Sequence, residues 1–352
     1  MKVLFIGGTG TISSAITRRA GQLGWEVYLL NRGNRNGEFK DAVYKHINFD
    51  ISEVRSGAVN ESELRIKLIK ELNNGEKFDV IADFIAFTPD HVEKDFNIFN
   101  GLCKQYIFIS SASAYQKPLS SSVITESTPL ANPFWSYSRD KIACEELLTQ
   151  KYREYGFPVT IVRPSHTYDE RSVPLGVHGK NGSFQVLKRM TCGKPVIIHG
   201  DGASLWTLTH NSDFAGAFVR LMGNIHAIGE AVHITSDESV TWNQIYQIIA
   251  DALNVELKAV HVSSGFLDDC SRGYYDFRGS LIGDKANSVI FDNAKIKRLA
   301  PGFCAKIRAD EGIKMTIENV LANRELQPED PEFDAWCDKV IIALAAAKKE
   351  FI

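Results

Sequence analysis

The first 24 residues constrain this chain more than any other stretch, because a strand, a glycine turn and a helix follow one another without a break. Lys2-Val3-Leu4-Phe5-Ile6 is a continuous β-prone apolar run, the pattern of a strand buried on both faces of a parallel sheet. It runs directly into Gly7-Gly8-Thr9-Gly10. Beyond the turn, Ile12, Ala15, Ile16, Ala20 and Leu23 recur at helical spacing, with Thr11 or Ser13 placed to cap the start and Gly24 to end it. Gly7 permits a tight turn, Gly10 lets backbone N–H groups approach a pyrophosphate, and the helix N-terminus at Thr11 and Ile12 adds partial positive charge. Ser13 stands where the fingerprint has its third glycine. A motif this incomplete also describes a plain tight turn, but its place between strand and helix favours a dinucleotide cradle.

The stretches that follow repeat the alternation. Val27 to Leu30 reads as a second strand, Val43 to Phe49 as a third, Phe78 to Ala86 as a fourth, Tyr106 to Ile109 as a fifth and Val159 to Val162 as a sixth, with Glu61 to Leu72 helical. Such spacing predicts right-handed crossovers and an α/β, Rossmann-type doubly wound parallel sheet, whose ligands bind at the carboxyl ends of the strands. At the end of the second strand an acidic residue favours a free ribose 2′-hydroxyl and an arginine a 2′-phosphate. Arg32 therefore tilts the expected cofactor, NAD(P), toward NADP, while Asn31 is able to hydrogen-bond a free ribose and Arg32 also reads as an ordinary surface residue. Asp50-Ile51 is placed where an adenine contact belongs. Asp83, a carboxylate inside a central strand, must be paired or neutral, and core hydrogen bonding is preferred over a role in the site.

Chemistry enters with Tyr137 and Lys141. Four apart on a helix that begins near Pro133 and Ser136, they share a face. A cation beside a phenol favours its ionised form and brings its pKa toward a value useful for proton transfer. Ser111, delivered by the fifth strand, is placed to hydrogen-bond the same substrate oxygen.

At 352 residues, 44% hydrophobic, the chain is long enough for two lobes, and a net charge of -3 gives no reason to expect a polyanion partner. Six dispersed cysteines without a C-x-x-C pair read as reduced thiols, and the histidines form no H-x-x-x-H pair, so no metal is expected. No apolar run has the length of a membrane span, and the opening one ends in glycines after five residues, so neither a membrane segment nor a signal peptide is expected. The expectation is a soluble cytoplasmic protein.

With these pieces the sequence resembles the extended short-chain dehydrogenase/reductases, the group that contains UDP-glucose 4-epimerase and the sugar-nucleotide dehydratases. The resemblance covers roughly residues 1–320 and rests on an ordered set. The set runs from Gly7-Gly8-Thr9-Gly10 through Asp50, Ser110 to Tyr115, Glu126 to Pro129, Tyr137 with Lys141, and Arg163-Pro164, to Gly200-Asp201-Gly202, Asp213, Lys295 to Gly302 and Glu311-Gly312. It implies Tyr137 as acid/base, Lys141 orienting the nicotinamide ribose and tuning Tyr137, and Ser111 polarising the reacting oxygen beside Ser110 and Ser113. It also implies Phe84 and Ala86 lining the cofactor, Pro164, Ser165 and His166 near the nicotinamide, and a homodimer. Departures concern the substrate: Trp206 replaces a diphosphate-binding arginine, Tyr168-Asp169-Glu170 replaces Tyr-Gly-Pro, and Gln116 replaces a glycine. Ser113, His178, Trp206 and Arg278 are the substrate-side candidates, with Arg171, Lys180 and Arg272 as further replacements for the lost phosphate contact.

The expected division is residues 1–167 plus about 208–236 for the dinucleotide domain, about 168–207 plus 237–325 for a smaller α/β substrate lobe, and 326–352 for a helical tail. Gly265 to Gly283 has no clear periodicity and is expected to shape the pocket; in the tail, Val340, Ile341, Leu344 and Ala345 are expected to pack on the body or on a second subunit. The leading reading is an NAD(P)-dependent oxidoreductase or epimerase acting on a hydroxyl or carbonyl carbon of a small molecule such as a nucleotide-linked sugar. Two rivals stand beside it. One is an RNA-binding protein like the chloroplast stem-loop binding proteins, opposed by the net charge and the intact Tyr137 and Lys141. The other is a regulator that binds dinucleotide without turnover.

Overall fold

The structure, a computed structural model, describes residues 1–34, 44–72 and 75–351. Seven parallel strands form the main sheet: β1 (Lys2–Ile6), β2 (Glu26–Asn31), β3 (Lys45–Asn48), β4 (Val80–Asp83), β5 (Tyr106–Ile109), β6 (Val159–Pro164) and β7 (Ala231–Ile234). Their order across the sheet is β3-β2-β1-β4-β5-β6-β7. The chain winds outward from β1 in one direction, then returns to β4 on its other side, pairing Ile6 with Asp83. That reversal opens a crevice at the carboxyl ends of β1 and β4. Val43, the expected start of the third strand, lies outside the described residues.

The apolar run of β1 serves both faces, as its composition requires. Val3 and Phe5 join one core cluster and Leu4 and Ile6 the opposite one. Each such side chain contributes roughly 1.5–3 kcal/mol by leaving water, so the strand's position is firmly set. On the Val3 face lie α1 (Ser13–Gln22) and a helix over Asn211–Leu221; on the Leu4 face lie α2 (Glu61–Lys70), α3 (Pro89–Phe99) and α4 (Ser136–Tyr155). Ile296, Leu299 and Phe303 return late in the chain to the Val3 face.

A further apolar cluster forms around Trp242, Ile245, Leu187, Ile197, Ile313 and Phe333. It contains the helix Trp242–Ala252, which starts on a Thr241–Gln244 capping box, and the parallel pair Val196–His199 with Ala259–Val262. The tail helix Pro331–Lys349 packs on this body through Phe333, Cys337 and Val340, and the buried Arg189 binds its Asp334 and Asp338 at 2.7 and 2.8 Å. The aperiodic stretch Gly265 to Gly283 is ordered: a helix over Ser264–Ser271 is followed by a π-helix over Arg278–Lys285. Five-residue hydrogen bonding in the π-helix carries no 3.6-residue apolar rhythm, and the α-helix before it spans only 8 residues. Among the described residues no helix is long and apolar enough to cross a membrane.

Candidate active site

The glycine turn is held by side chains the motif does not specify. Gly7 has φ +76°, and a Cβ there would lie 2.6 Å from Ile85 Cγ2; one on Gly8 would lie 2.6 Å from Leu29 Cδ2. Neither Thr11 nor Ser13 caps α1, whose N-cap is Ile12 without a side-chain bond. Ser13 instead folds back into the turn: its Oγ accepts from the Gly10 N–H at 2.8 Å and donates to the Gly7 carbonyl at 2.7 Å. A serine in place of the third glycine is therefore a brace for the cradle. Ser13→Ala is expected to cost about 1 kcal/mol, since a half-buried donor and acceptor lose their partner. Equal urea midpoints for variant and wild type would contradict this.

Beside the turn runs a cleft of about 750 Å³ lined by Gly7, Gly10, Asn31, Arg32, Asp50 and Ile51, among others. Asn31 Oδ1 accepts from the Gly33 N–H at 2.8 Å and bonds His46 Nε2 at 2.9 Å, leaving its buried Nδ2 without a partner among the described residues. Asp50 caps a short helix by accepting from Ser52, whose hydroxyl holds the carboxyl below its ordinary range. The exposed Arg32 guanidinium approaches it to 4.0 Å. From β4 the cleft is lined by Ile85 and Phe87, not by Phe84 and Ala86. The cause is Asp83, which accepts the Ile85 and Ala86 N–H groups at 2.7 and 2.8 Å and ends the strand early. Phe84 packs away from the cleft on Phe5 and Phe218, and Ala86 presents its carbonyl to Lys141. Behind this wall Asp83 and Asp95 share Arg55 at 2.5 and 3.1 Å, and the Tyr106 hydroxyl donates to Asp95. Burial next to Asp83 pushes the Asp95 carboxyl well up.

At the far end of the same sheet edge, α4 presents Tyr137 and Lys141. The Lys141 ammonium is buried, donates to the carbonyls of Ala86 and Ile109 at 2.7 Å each, and lies 5.7 Å from the Tyr137 ring centre. Desolvation lowers it to about 8. Burial also pushes the Tyr137 phenol up to about 12, against the neighbouring Ser111 hydroxyl, which lowers it. The expected lowering of the phenol by Lys141 is thus reversed: desolvation outweighs a cation committed to two carbonyls. Ser111 is braced by Ser113 at 2.8 Å, which receives a further hydrogen bond from Ser138 at 2.8 Å. Ser110 points elsewhere, donating to Glu145, which pairs with Arg163.

Two smaller pockets adjoin this end. One of about 180 Å³ takes in Thr11, His166, His178 and Lys285; the other, of about 130 Å³, takes in Ser111, Ser113, Pro164, His166, Asp284 and Lys285. Trp206 is buried behind them and donates from Nε1 to His166 Nδ1 at 2.9 Å. Arg278 lies at the surface, 3.9 Å from Asp268, and lines none of these three pockets.

Residues 3–235 match the NAD dependent epimerase/dehydratase family. The chain belongs to this family. Among its curated relatives is 2′-dehydrokanamycin reductase of Streptomyces kanamyceticus, 23% identical over 307 residues that cover 86% of this chain and 80% of that protein. Another is the chloroplast stem-loop binding protein of 41 kDa b of Arabidopsis thaliana, 26% identical over 79% of this chain and 70% of that one. In fold the epimerase/dehydratase chain is similar to UDP-glucuronic acid 4-epimerase from Bacillus cereus, solved in complex with NAD, at a TM-score of 0.68 and 16% identity, covering 93% of this chain and 100% of that one. Sequence reading of this family member did not find Arg55, Ile85, Phe87, Asp284 or Lys285. Arg55 meets Asp83 and Asp95 across 28 and 40 residues of chain, and no local pattern announces such a meeting.

Proposed function

We propose that the chain is an NAD(P)-dependent epimerase, dehydratase or reductase acting at a hydroxyl- or carbonyl-bearing carbon of a sugar nucleotide or related small molecule. The observation that carries this reading is the gathering of Tyr137, the neighbouring Ser111 hydroxyl and the doubly clamped Lys141 at the same sheet edge as a glycine turn with no room for a Cβ. The residues fit a dinucleotide: the turn and the start of α1 offer backbone N–H groups to the pyrophosphate, and the unpartnered Asn31 Nδ2 offers a donor to the ribose. When bound, the nicotinamide supplies hydride exchange with the substrate carbon.

Tyr137 Oη moves the accompanying proton. Its phenol, pushed up to about 12, is protonated at neutral pH and ready to donate to a carbonyl oxygen. Oxidation of an alcohol needs the phenolate, so that direction quickens as pH rises. Ser111, held by Ser113, which Ser138 holds in turn, polarises the reacting oxygen beside Tyr137. Lys141, clamped by two carbonyls, sets the position of the α4 face that carries Tyr137.

Arg32 supports NADP over NAD, since its exposed guanidinium stands at the rim beyond Asn31; the Asp50 carboxylate beside it reduces the preference. Arg32→Ala is expected to weaken NADP by about fivefold, the scale of an exposed charge contact, and to leave NAD unchanged. Parallel losses for both cofactors would remove Arg32 as the discriminator. A homodimer belongs to the same proposal, and sedimentation of the 39.2 kDa chain reads it.

The experiment for the whole reading is incubation of the full chain with NADH or NADPH and a panel of UDP- and dTDP-hexoses and keto sugars. Stoichiometric loss of reduced nicotinamide marks a reductase, and conversion without net redox change marks an epimerase or dehydratase. No conversion across the panel sinks the reading. Similarity to the stem-loop binding protein supports RNA binding as a second reading; failure to shift RNA at low salt removes it.

A further inference from the structure

The two small pockets share a wall made of His166 and Lys285. Lys285 closes the π-helix, and its backbone is fastened there from three sides. Its carbonyl accepts from Trp242 Nε1 at 2.9 Å, His199 Nε2 at 3.1 Å and Ser204 Oγ at 3.4 Å. Among the described residues, no hydrogen bond or ion pair engages its ammonium group. Asp284 next to it feels the positive charge of Lys117, whose buried Nζ has no hydrogen-bond partner either. Asp169 is bonded by Arg171 Nε at 2.7 Å. Arg171 is set against Asp169, and Lys285 shares the attraction of Asp284 with Lys117 and feels a smaller pull from Asp276, without a hydrogen-bonded partner of its own.

His166 is fixed in one protonation state. The Trp206 indole N–H only donates, so His166 Nδ1 must accept and the neutral ring carries its proton on Nε2. Burial, with the charges of Lys285 and His178, drives its pKa down to about 3, so it stays neutral at physiological pH. His178 donates from Nδ1 to the Gly179 carbonyl at 2.9 Å, and burial lowers its pKa too. The wall therefore offers an ammonium and an imidazole N–H, with the hydroxyls of Thr11, Ser111 and Ser113 on the pocket floors. Although Asp169 and Asp284 also line these pockets, the half-buried Lys285 ammonium has no hydrogen-bonded partner among the described residues, and such a group favours an anionic one.

We propose that Lys285 and His166 form an oxyanion-binding subsite that takes a carboxylate or phosphoryl group of the substrate beside Ser111, making Lys285 a specificity-determining residue. The assignment rests on the reading of Ser111 and Tyr137 as the reacting end. A cationic substrate group there would face Lys285 and is selected against.

The test is calorimetric titration of the full chain, with and without NADP, using UDP-glucuronic acid, UDP-glucose and inorganic phosphate as probes. Lys285→Met is expected to weaken at least one probe by about tenfold or more, the scale of a charged hydrogen bond, with NAD(P) affinity unchanged and Lys285→Arg restoring most of the loss. A loss confined to UDP-glucuronic acid identifies a carboxylate; a loss shared by UDP-glucose and phosphate identifies a phosphoryl group. Should Lys285→Met fail to fold, His166→Phe removes the second donor and is expected to act in the same direction. Equal affinities in wild type and variants, or no binding of any probe to the wild type, overturn the subsite. Anion binding that depends on Lys285 in a chain that binds neither NAD nor NADP would uphold the subsite and sink the dinucleotide reading instead.

Discussion

Replacing Tyr137 by phenylalanine leaves NAD(P) affinity unchanged and lowers turnover by about 10²–10⁴-fold, the contribution of a positioned acid–base group. The ring itself is held by Trp135 and Phe87, at centroid distances of 4.9 and 6.5 Å, and phenylalanine keeps both contacts. Only Oη is lost, and with it the proton. Ser111→Ala keeps the phenol and is expected to lose less, since it removes a hydroxyl beside the reacting oxygen without removing the acid. Turnover is read by stopped assays at saturating cofactor and affinity by nicotinamide fluorescence. A Tyr137→Phe enzyme with wild-type turnover would move the proton step to another residue and end this account of the site.

The second large effect is on the fold behind the cofactor wall. Asp83→Ala is expected to cost about 3–5 kcal/mol, because it strips one partner from a buried ion pair and leaves the Ile85 and Ala86 N–H groups without their acceptor. Asp95→Asn should cost far less. Burial beside Asp83 already disfavours the charged form of its carboxyl, and an amide of the same shape removes that like-charge pairing. The raised folded pKa also sets a sign: between the ordinary carboxylate range and the folded value the native state binds more protons than the unfolded one, so stability from this group falls as pH rises. Asp95→Asn removes that fall. Thermal melts of both variants from acidic to neutral pH check the pair, and an Asp83→Ala protein that melts with the wild type would contradict it.

Elements written in local periodicity were legible in advance. The two-faced burial of β1, the doubly wound parallel sheet, and the i,i+4 placing of Tyr137 and Lys141 on one helix all follow from spacing. What depends on tertiary distance was not. The braces on the glycine turn and on Ser111 are single hydroxyls, Ser13 and Ser113, chosen by geometry rather than by pattern. Lys285 lies on a π-helix whose hydrogen-bond period hides it. The electrostatics of Tyr137 and Lys141 went the other way from expectation because spacing says which groups are neighbours, whereas their ionisation follows from how much water each loses. Asp83 shows both sides: its need for partners was plain from its place in an apolar strand, while Arg55, the partner, was not.

The central claim is that the crevice between β1 and β4 holds a nicotinamide dinucleotide. It is tested most directly by titrating NAD and NADP separately into the full chain and following bound cofactor by fluorescence or calorimetry. The account predicts saturable binding of one equivalent per chain, with NADP the tighter of the two. Absence of saturable binding by either cofactor would contradict it.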